Sequence, residues 1–94
     1  MSRIEFRSQV LNDLKNLDKH ERQRIALKLF ELLEVNGALG DPLSGDLSGY
    51  KRIRINNLRL IYKFDSSNDA LEVLAIGKRE DLSVYRTATI RLFD

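Results

Sequence analysis

The sequence predicts an α+β fold in which an antiparallel sheet packs against an N-terminal helical hairpin and a short C-terminal helix. Three observations predict it. Apolar residues recur at helical spacing through the first third of the chain. From residue 50 to residue 78 the period changes to two. Between these stretches, residues 36–49 hold four of the five glycines and the only proline, so the chain turns there rather than continuing an element. A sheet with one apolar face must bury it, and the helices that precede it supply the covering surface.

The alternation Arg3-Ile4-Glu5-Phe6-Arg7 predicts an opening strand. Val10, Leu14 and Leu17 then recur at helical spacing, giving a helix over residues 8–17 with Ser8 near its cap. Asp18-Lys19-His20-Glu21 has the form of a capping box, in which Asp18 and Glu21 each satisfy the other's exposed amide. It opens a second helix that buries Ile25, Leu29, Leu32 and Leu33, and Gly37 after Asn36 supplies the left-handed stop. So short a connection makes the two helices an antiparallel hairpin. Residues 50–55, 58–65 and 70–78 read as three antiparallel strands, joined by Asn56-Asn57 and by Ser66-Ser67-Asn68-Asp69. Residues 81–93 close the order β-α-α-β-β-β-α with a short helix, although Thr87 and Thr89 are poor helix formers.

Ninety-four residues predict one small domain, residues 1–94, with a modest core. Hydrophobic content of 43% and charged content of 32% fit a folded globular chain rather than a disordered one. No apolar run approaches the roughly 20 residues that cross a bilayer, and the first residues lack the apolar stretch of a secretory signal. The chain has no cysteine, which excludes disulfides and thiolate metal sites and suits a reducing cytoplasm. No His/Asp/Glu cluster has ligand spacing, and the glycine-rich loop lacks the ending of a phosphate-binding loop, so neither metal nor cofactor is expected. The one histidine, His20, falls in the first turn of a helix and suits neither a triad nor an acid-base pair.

Net charge is only +2, but its distribution is uneven. Residues 50–64 carry Lys51, Arg52, Arg54, Arg59 and Lys63 and no acid, which marks one basic face on a nearly neutral protein. If Asn56-Asn57 is a two-residue turn, Ile55 faces Leu58, Arg54 faces Arg59 and Ile53 faces Leu60. Alternation then sends Ile53, Ile55, Leu58, Leu60 and Tyr62 to the core and brings out Arg52, Arg54 and Arg59 together. Like charges directly opposed across a sheet are destabilising, whereas a polyanion between them reverses the sign. Guanidinium groups grip phosphate in a planar, bidentate manner. The alternative is a solvated face whose arginines pair with carboxylates elsewhere.

A second cluster follows the last strand. Gly77 at its exit allows close backbone approach or a bend. Arg79 can then lean over the same face as Arg59, both on a solvent-facing concave surface where truncation costs little stability. Tyr85 offers a phenol that can donate a hydrogen bond or stack on a base. Read singly, Arg79 pairs equally well with Glu80 or Asp81, and Tyr85 serves as a half-buried packing residue.

The run from Gly45 to Tyr62, with Gly49-Tyr50-Lys51-Arg52-Ile53-Arg54 and Leu58-Arg59-Leu60-Ile61-Tyr62, resembles the core pattern of the RelE/ParE toxin superfamily. Leu74-Ala75-Ile76-Gly77-Lys78-Arg79-Glu80 with Val84-Tyr85 is similar to the signature of RelE-type members, and the element order agrees over nearly the whole chain. The resemblance implies a RelE-like, microbial-ribonuclease-like fold and a cytoplasmic toxin that cuts mRNA in the ribosomal A site. Its partners would be the ribosome, mRNA and a small cognate antitoxin, with no membrane. It also implies attack by the substrate's own 2′-hydroxyl, leaving a 2′,3′-cyclic phosphate and a 5′-hydroxyl. Arg52 and Arg54 fall on the two basic positions of the first catalytic strand, and Arg59 on the arginine that holds the scissile phosphate. Arg79 matches the arginine that stabilises charge and protonates the leaving oxygen, and Tyr85 the tyrosine that orients the nucleotide. Lys51 and Lys78 stand beside these residues as RNA-binding candidates.

One departure bears on mechanism. The RelE pattern has lysines where this chain has Arg52 and Arg54, and arginine is a poor general base. Tyr85 or solvent within the ribosome would accept the proton instead; otherwise the cluster would act chiefly by stabilising charge on the phosphorane. The alternative function is inhibition of DNA gyrase, which ParE-type members perform on the same scaffold without cutting RNA.

Overall fold

The structure, a computed structural model, describes residues 2–78 and 83–93. Strand β1 (Arg3–Phe6) leads into helices α1 (Ser8–Lys15) and α2 (Lys19–Glu34). A two-residue strand β2 (Asp41–Pro42) and a 3-10 turn (Gly45–Leu47) occupy the glycine-rich stretch. Strands β3 (Lys51–Ile55), β4 (Leu58–Asp65) and β5 (Ala70–Lys78) and helix α3 (Ser83–Leu92) follow. The sheet order is β1-β5-β4-β3-β2.

The predicted hairpin register is present: Arg54 pairs with Arg59, Ile53 with Leu60 and Ile55 with Leu58. Asn56 takes a left-handed φ of 53°, the conformation a two-residue turn between twisted strands demands. Three features differ from the sequence reading, and the first is β2, an edge strand in a stretch read only as turns. The sheet is mixed, because β1 runs parallel to β5, with Arg3 opposite Ala70 and Phe6 opposite Val73. Helix α1 ends at Lys15 and is capped by Arg7 with no side-chain hydrogen bond, so Ser8 is its first residue and not its cap.

The sheet is covered on both faces. On one, Val10 and Leu17 of the α1 segment and Ile25, Leu29 and Leu32 of α2 pack on Ile55, Leu58, Leu60, Tyr62, Leu71, Val73 and Ile76. On the other, Val84 and Ala88 of α3 and Leu47 of the 3-10 turn pack on Tyr50, Ile61, Leu74 and Ala75. Strand β4 is consequently buried without a break from Leu58 to Tyr62, where a one-sided sheet would alternate. A bulge opposite Ile61 and Tyr62 turns both Leu74 and Ala75 toward α3. The buried Tyr62 hydroxyl donates to the Gly37 carbonyl at 2.9 Å and accepts from the Gly40 amide at 2.8 Å, tying the loop after α2 to the sheet.

Beyond Phe6 the edge of β5 has no strand beside it among the described residues. Side chains take its place. The Ile76 amide donates to Asp13 Oδ2 at 3.0 Å, and the Leu74 carbonyl accepts from Arg91 Nη1 at 2.9 Å. Asp13 and Arg91 join each other by two bonds of 2.7 and 2.8 Å, which clamps α1 to α3 across that edge.

Asp18 caps α2 as expected: its carboxylate accepts from the Glu21 amide at 2.8 Å, and Glu21 returns a bond to the Asp18 amide at 3.0 Å. Glu21 is buried, 5% exposed, and its other oxygen accepts from Lys78 and from Asn57. Lys78 first, and then the Asp18 amide and Asn57, hold the Glu21 carboxyl down at about 2 from an ordinary 4.5. A carboxyl lowered in the folded state stabilises fully above its unfolded value, and that stabilisation is lost as pH falls through the folded value. Urea denaturation of wild type should therefore weaken between pH 4.5 and about 2 more steeply than that of Glu21→Gln. Parallel acid limbs for the two proteins would show that Glu21 is not held in this way.

Candidate active site

The alternation of β3 and β4 turns Arg52, Arg54 and Arg59 to the face that α3 crosses. What brings α3 close is a missing side chain. A Cβ on Gly77, which lies opposite Arg59, would stand 2.9 Å from Val84 Cβ and 3.0 Å from its Cγ2. The first turn of α3 thus rests directly on β5, and Tyr85 falls over the arginines. Arg52 Nη1 donates to the Tyr85 hydroxyl at 3.0 Å, and the Arg59 guanidinium lies 5.5 Å from the centre of the Tyr85 ring.

Arg59 is the unusual member. The sequence reading places it on a solvent-facing surface, but the residue is only 9% exposed because α3 covers it. Its Nε and Nη1 are buried with no hydrogen-bond partner among the described residues. A cation over a ring gains roughly 0.5–2 kcal/mol, against several kcal/mol for removing an ion from water. The ring alone does not balance the account, and an anion entering beside Tyr85 would. Truncation of Arg59 to alanine also removes a buried stem, so its effect on folding is not confined to the surface range.

Arg52 is partly exposed and has Asp41 Oδ2 at 3.9 Å from its Nε. Its hydrogen bond to Tyr85, followed by Asp41, holds Arg52 still more firmly in the charged form. It therefore supplies fixed charge and accepts no proton. Tyr85 accepts from Arg52, and its own hydrogen has no acceptor among the described residues. Arg54 is exposed at the mouth, opposite Arg59. Arg79 lies outside the described residues.

The two lysine candidates stand elsewhere. Lys78 pairs with Glu21, and its register places it on the face of Leu58 and Ile76, toward α1 and α2. Lys51 shares the face of Ile53 and Tyr62. Neither joins the arginines. Lys63 does share their face but is engaged by Glu72 at 3.7 Å. Sequence reasoning missed Asp41 beside Arg52, which sits in a strand of two residues with no pattern of its own. Among the described residues no group of acids and histidines has the arrangement of a metal site.

The role of Gly77 is open to direct measurement. Gly77→Ala should lower stability by about 1–3 kcal/mol, because the added methyl meets the stiff, β-branched Val84. It should also lift Tyr85 away from Arg52, visible as a shift in the NMR signals of that guanidinium. An unchanged denaturation midpoint and spectrum would mean that α3 does not depend on this approach.

A mixed sheet between two helices and one, with a buried guanidinium under the single helix, defines a small α+β protein with an arginine cluster between strand and helix. Comparison with known proteins gives that class its family. Residues 4–82 match the family described as the ParE toxin of type II toxin-antitoxin systems. The chain is 31% identical over 90 residues to a RelE-like toxin protein of Escherichia coli, with 95% of each chain covered. It is 29% identical, at the same coverage, to the mRNA interferase toxin RelE of Escherichia coli K12. The solved structure of Escherichia coli RelE in the free state, as a double arginine mutant, superposes with a TM-score of 0.80 at 25% identity over 97% of each chain. The same mutant in complex with an antitoxin RelB peptide gives 0.72 at 26% identity over 93% of each chain. The chain belongs to the RelE/ParE toxin superfamily.

Proposed function

We propose that the protein is a ribosome-dependent endoribonuclease that cuts mRNA in the A site and is held inactive by a small cognate antitoxin. The observation that carries this reading is the buried Arg59 guanidinium with two unpartnered nitrogens, set beside Arg52 and Tyr85. The likeness to an mRNA interferase and to a toxin in complex with its antitoxin supports it. Arg59 would hold the scissile phosphate. Attack of the 2′-oxygen on phosphorus forms the cyclic ester, the bond to the 5′-oxygen breaks, and that oxygen leaves as a hydroxyl. Arg52 and Arg54 stabilise the charge gathering on the phosphorane, a transition-state effect that needs no proton transfer. Tyr85 orients the nucleotide and donates to an oxygen, and Arg79 protonates the leaving group. The proton of the 2′-hydroxyl goes to solvent within the ribosome.

With arginines at the family's lysine positions, the chain relies on the ribosome to align the nucleotide, and alignment contributes several kcal/mol. Purified protein should cut programmed ribosomes and leave naked RNA nearly intact. Efficient cleavage of free single-stranded RNA would contradict this. A second reading, inhibition of DNA gyrase, is favoured by the match to ParE toxins and by arginines standing at the lysine positions. Primer extension after brief induction separates the two. Codon-phased cuts that require translation support the nuclease; intact mRNA with a DNA-damage response supports gyrase inhibition.

A further inference from the structure

Glu21 does more than a capping box requires. The cap occupies one carboxylate oxygen, on the Asp18 amide. The other accepts from Asn57 Nδ2 at 3.0 Å and from Lys78 Nζ, at the end of β5. Asn57 belongs to the turn that joins β3 to β4 and precedes Arg59 by two residues. Lys78 pairs in register with Leu58, immediately beside the Arg59–Gly77 pair, and adjoins Arg79 in sequence. One buried oxygen thus holds the turn that leads into Arg59 and the end of the strand beside it, and holds them from the face opposite to the arginines. Such an anchor opposes a specific cost: Arg54 and Arg59 are directly opposed, and like charges in that position are destabilising.

We propose that Glu21 is a positioning residue for the arginine site, fixing the β3–β4 turn and the end of β5 through Asn57 and Lys78. The proposal rests on the nuclease reading for its kinetic test and on geometry alone for its structural one. Glu21→Gln keeps an acceptor for the Asp18 amide but presents a donor to Asn57 and Lys78, so the helix cap survives while the anchor is lost. On programmed ribosomes, Glu21→Gln and Lys78→Gln should each lower the saturating single-turnover rate about tenfold, the scale of a small misplacement. The concentration for half-saturation should stay within about twofold, because binding surface is not removed. The double variant should be no slower than either single one, since both changes break one link. Asn57→Ala, which leaves cap and ion pair in place, should produce a smaller loss of the same kind.

Hydrogen exchange supplies the test that needs no activity. In Glu21→Gln the amides of residues 54–60 should exchange about tenfold faster, with those of β1 and α3 unchanged. Full activity in Glu21→Gln, multiplicative effects in the double variant, or unaltered exchange at 54–60 would each overturn the proposal. If the wild-type protein cleaves nothing, the nuclease reading falls, and the exchange result alone decides the role of Glu21.

Discussion

Arg59→Met should yield a protein more stable than wild type and without toxicity. The guanidinium is 9% exposed and two of its nitrogens have no partner among the described residues, so the folded chain carries a desolvated charge. Replacing buried ions by apolar groups of similar volume is often neutral or stabilising by about 1–4 kcal/mol. The loss of the contact with the Tyr85 ring offsets part of this, leaving a net gain of about 1 kcal/mol. In a chain of this size that raises the thermal midpoint by roughly 4–8 °C. Activity should move the other way, by about a hundredfold to a thousandfold, the usual effect of removing a donor aimed at developing charge. Calorimetry and single-turnover cleavage on programmed ribosomes measure the two sides. A clearly destabilised Arg59→Met would mean that the guanidinium is already satisfied in the free protein, and undiminished cleavage would remove Arg59 from the site.

Asp13→Ala should have the largest effect on folding. Its carboxylate accepts both guanidinium bonds of Arg91 and the amide of Ile76. Arg91 is 8% exposed, and removing one partner of a buried ion pair costs about 3–5 kcal/mol. Domains of this kind have only about 5–15 kcal/mol in total, so the variant should be largely unfolded at moderate urea. Asp13→Ala with Arg91→Met should recover part of the loss, because no charge is then stranded. Urea midpoints of the single and double variants test this, and a double variant weaker than Asp13→Ala would refute it. As the pair also clamps α3, the Tyr85 contacts should weaken in step with stability.

How much of this was legible in the sequence depended on the range of the interaction. The two-residue turn Asn56-Asn57 fixes its own register, so the face carrying Arg52, Arg54 and Arg59 could be derived from alternation alone. The burial of Arg59 could not, because it comes from α3, whose approach depends on Gly77 lacking a side chain. Gly77 was legible as a place of close approach, but what approaches was not. The capping box gave Glu21 its first role; its second involves a turn and a strand end, 36 and 57 residues further along the chain. Asp13 and Arg91 left no local mark, being joined only in three dimensions. The parallel pairing of β1 escaped for a similar reason: four alternating residues announce a strand without saying which strand lies beside it.

That parallel pairing sets a timetable. Strand β1 is synthesised well before its partner, residues 70–73, and α3 comes later still. At about 5–20 residues per second, several seconds separate the two on the ribosome. Until α3 emerges, Tyr85 cannot stand over Arg52 and Arg59, and the edge of β5 cannot receive Arg91. The arginine face is therefore completed only after α3 has been made. The order of synthesis thus makes the arginine face one of the last features of the fold to form.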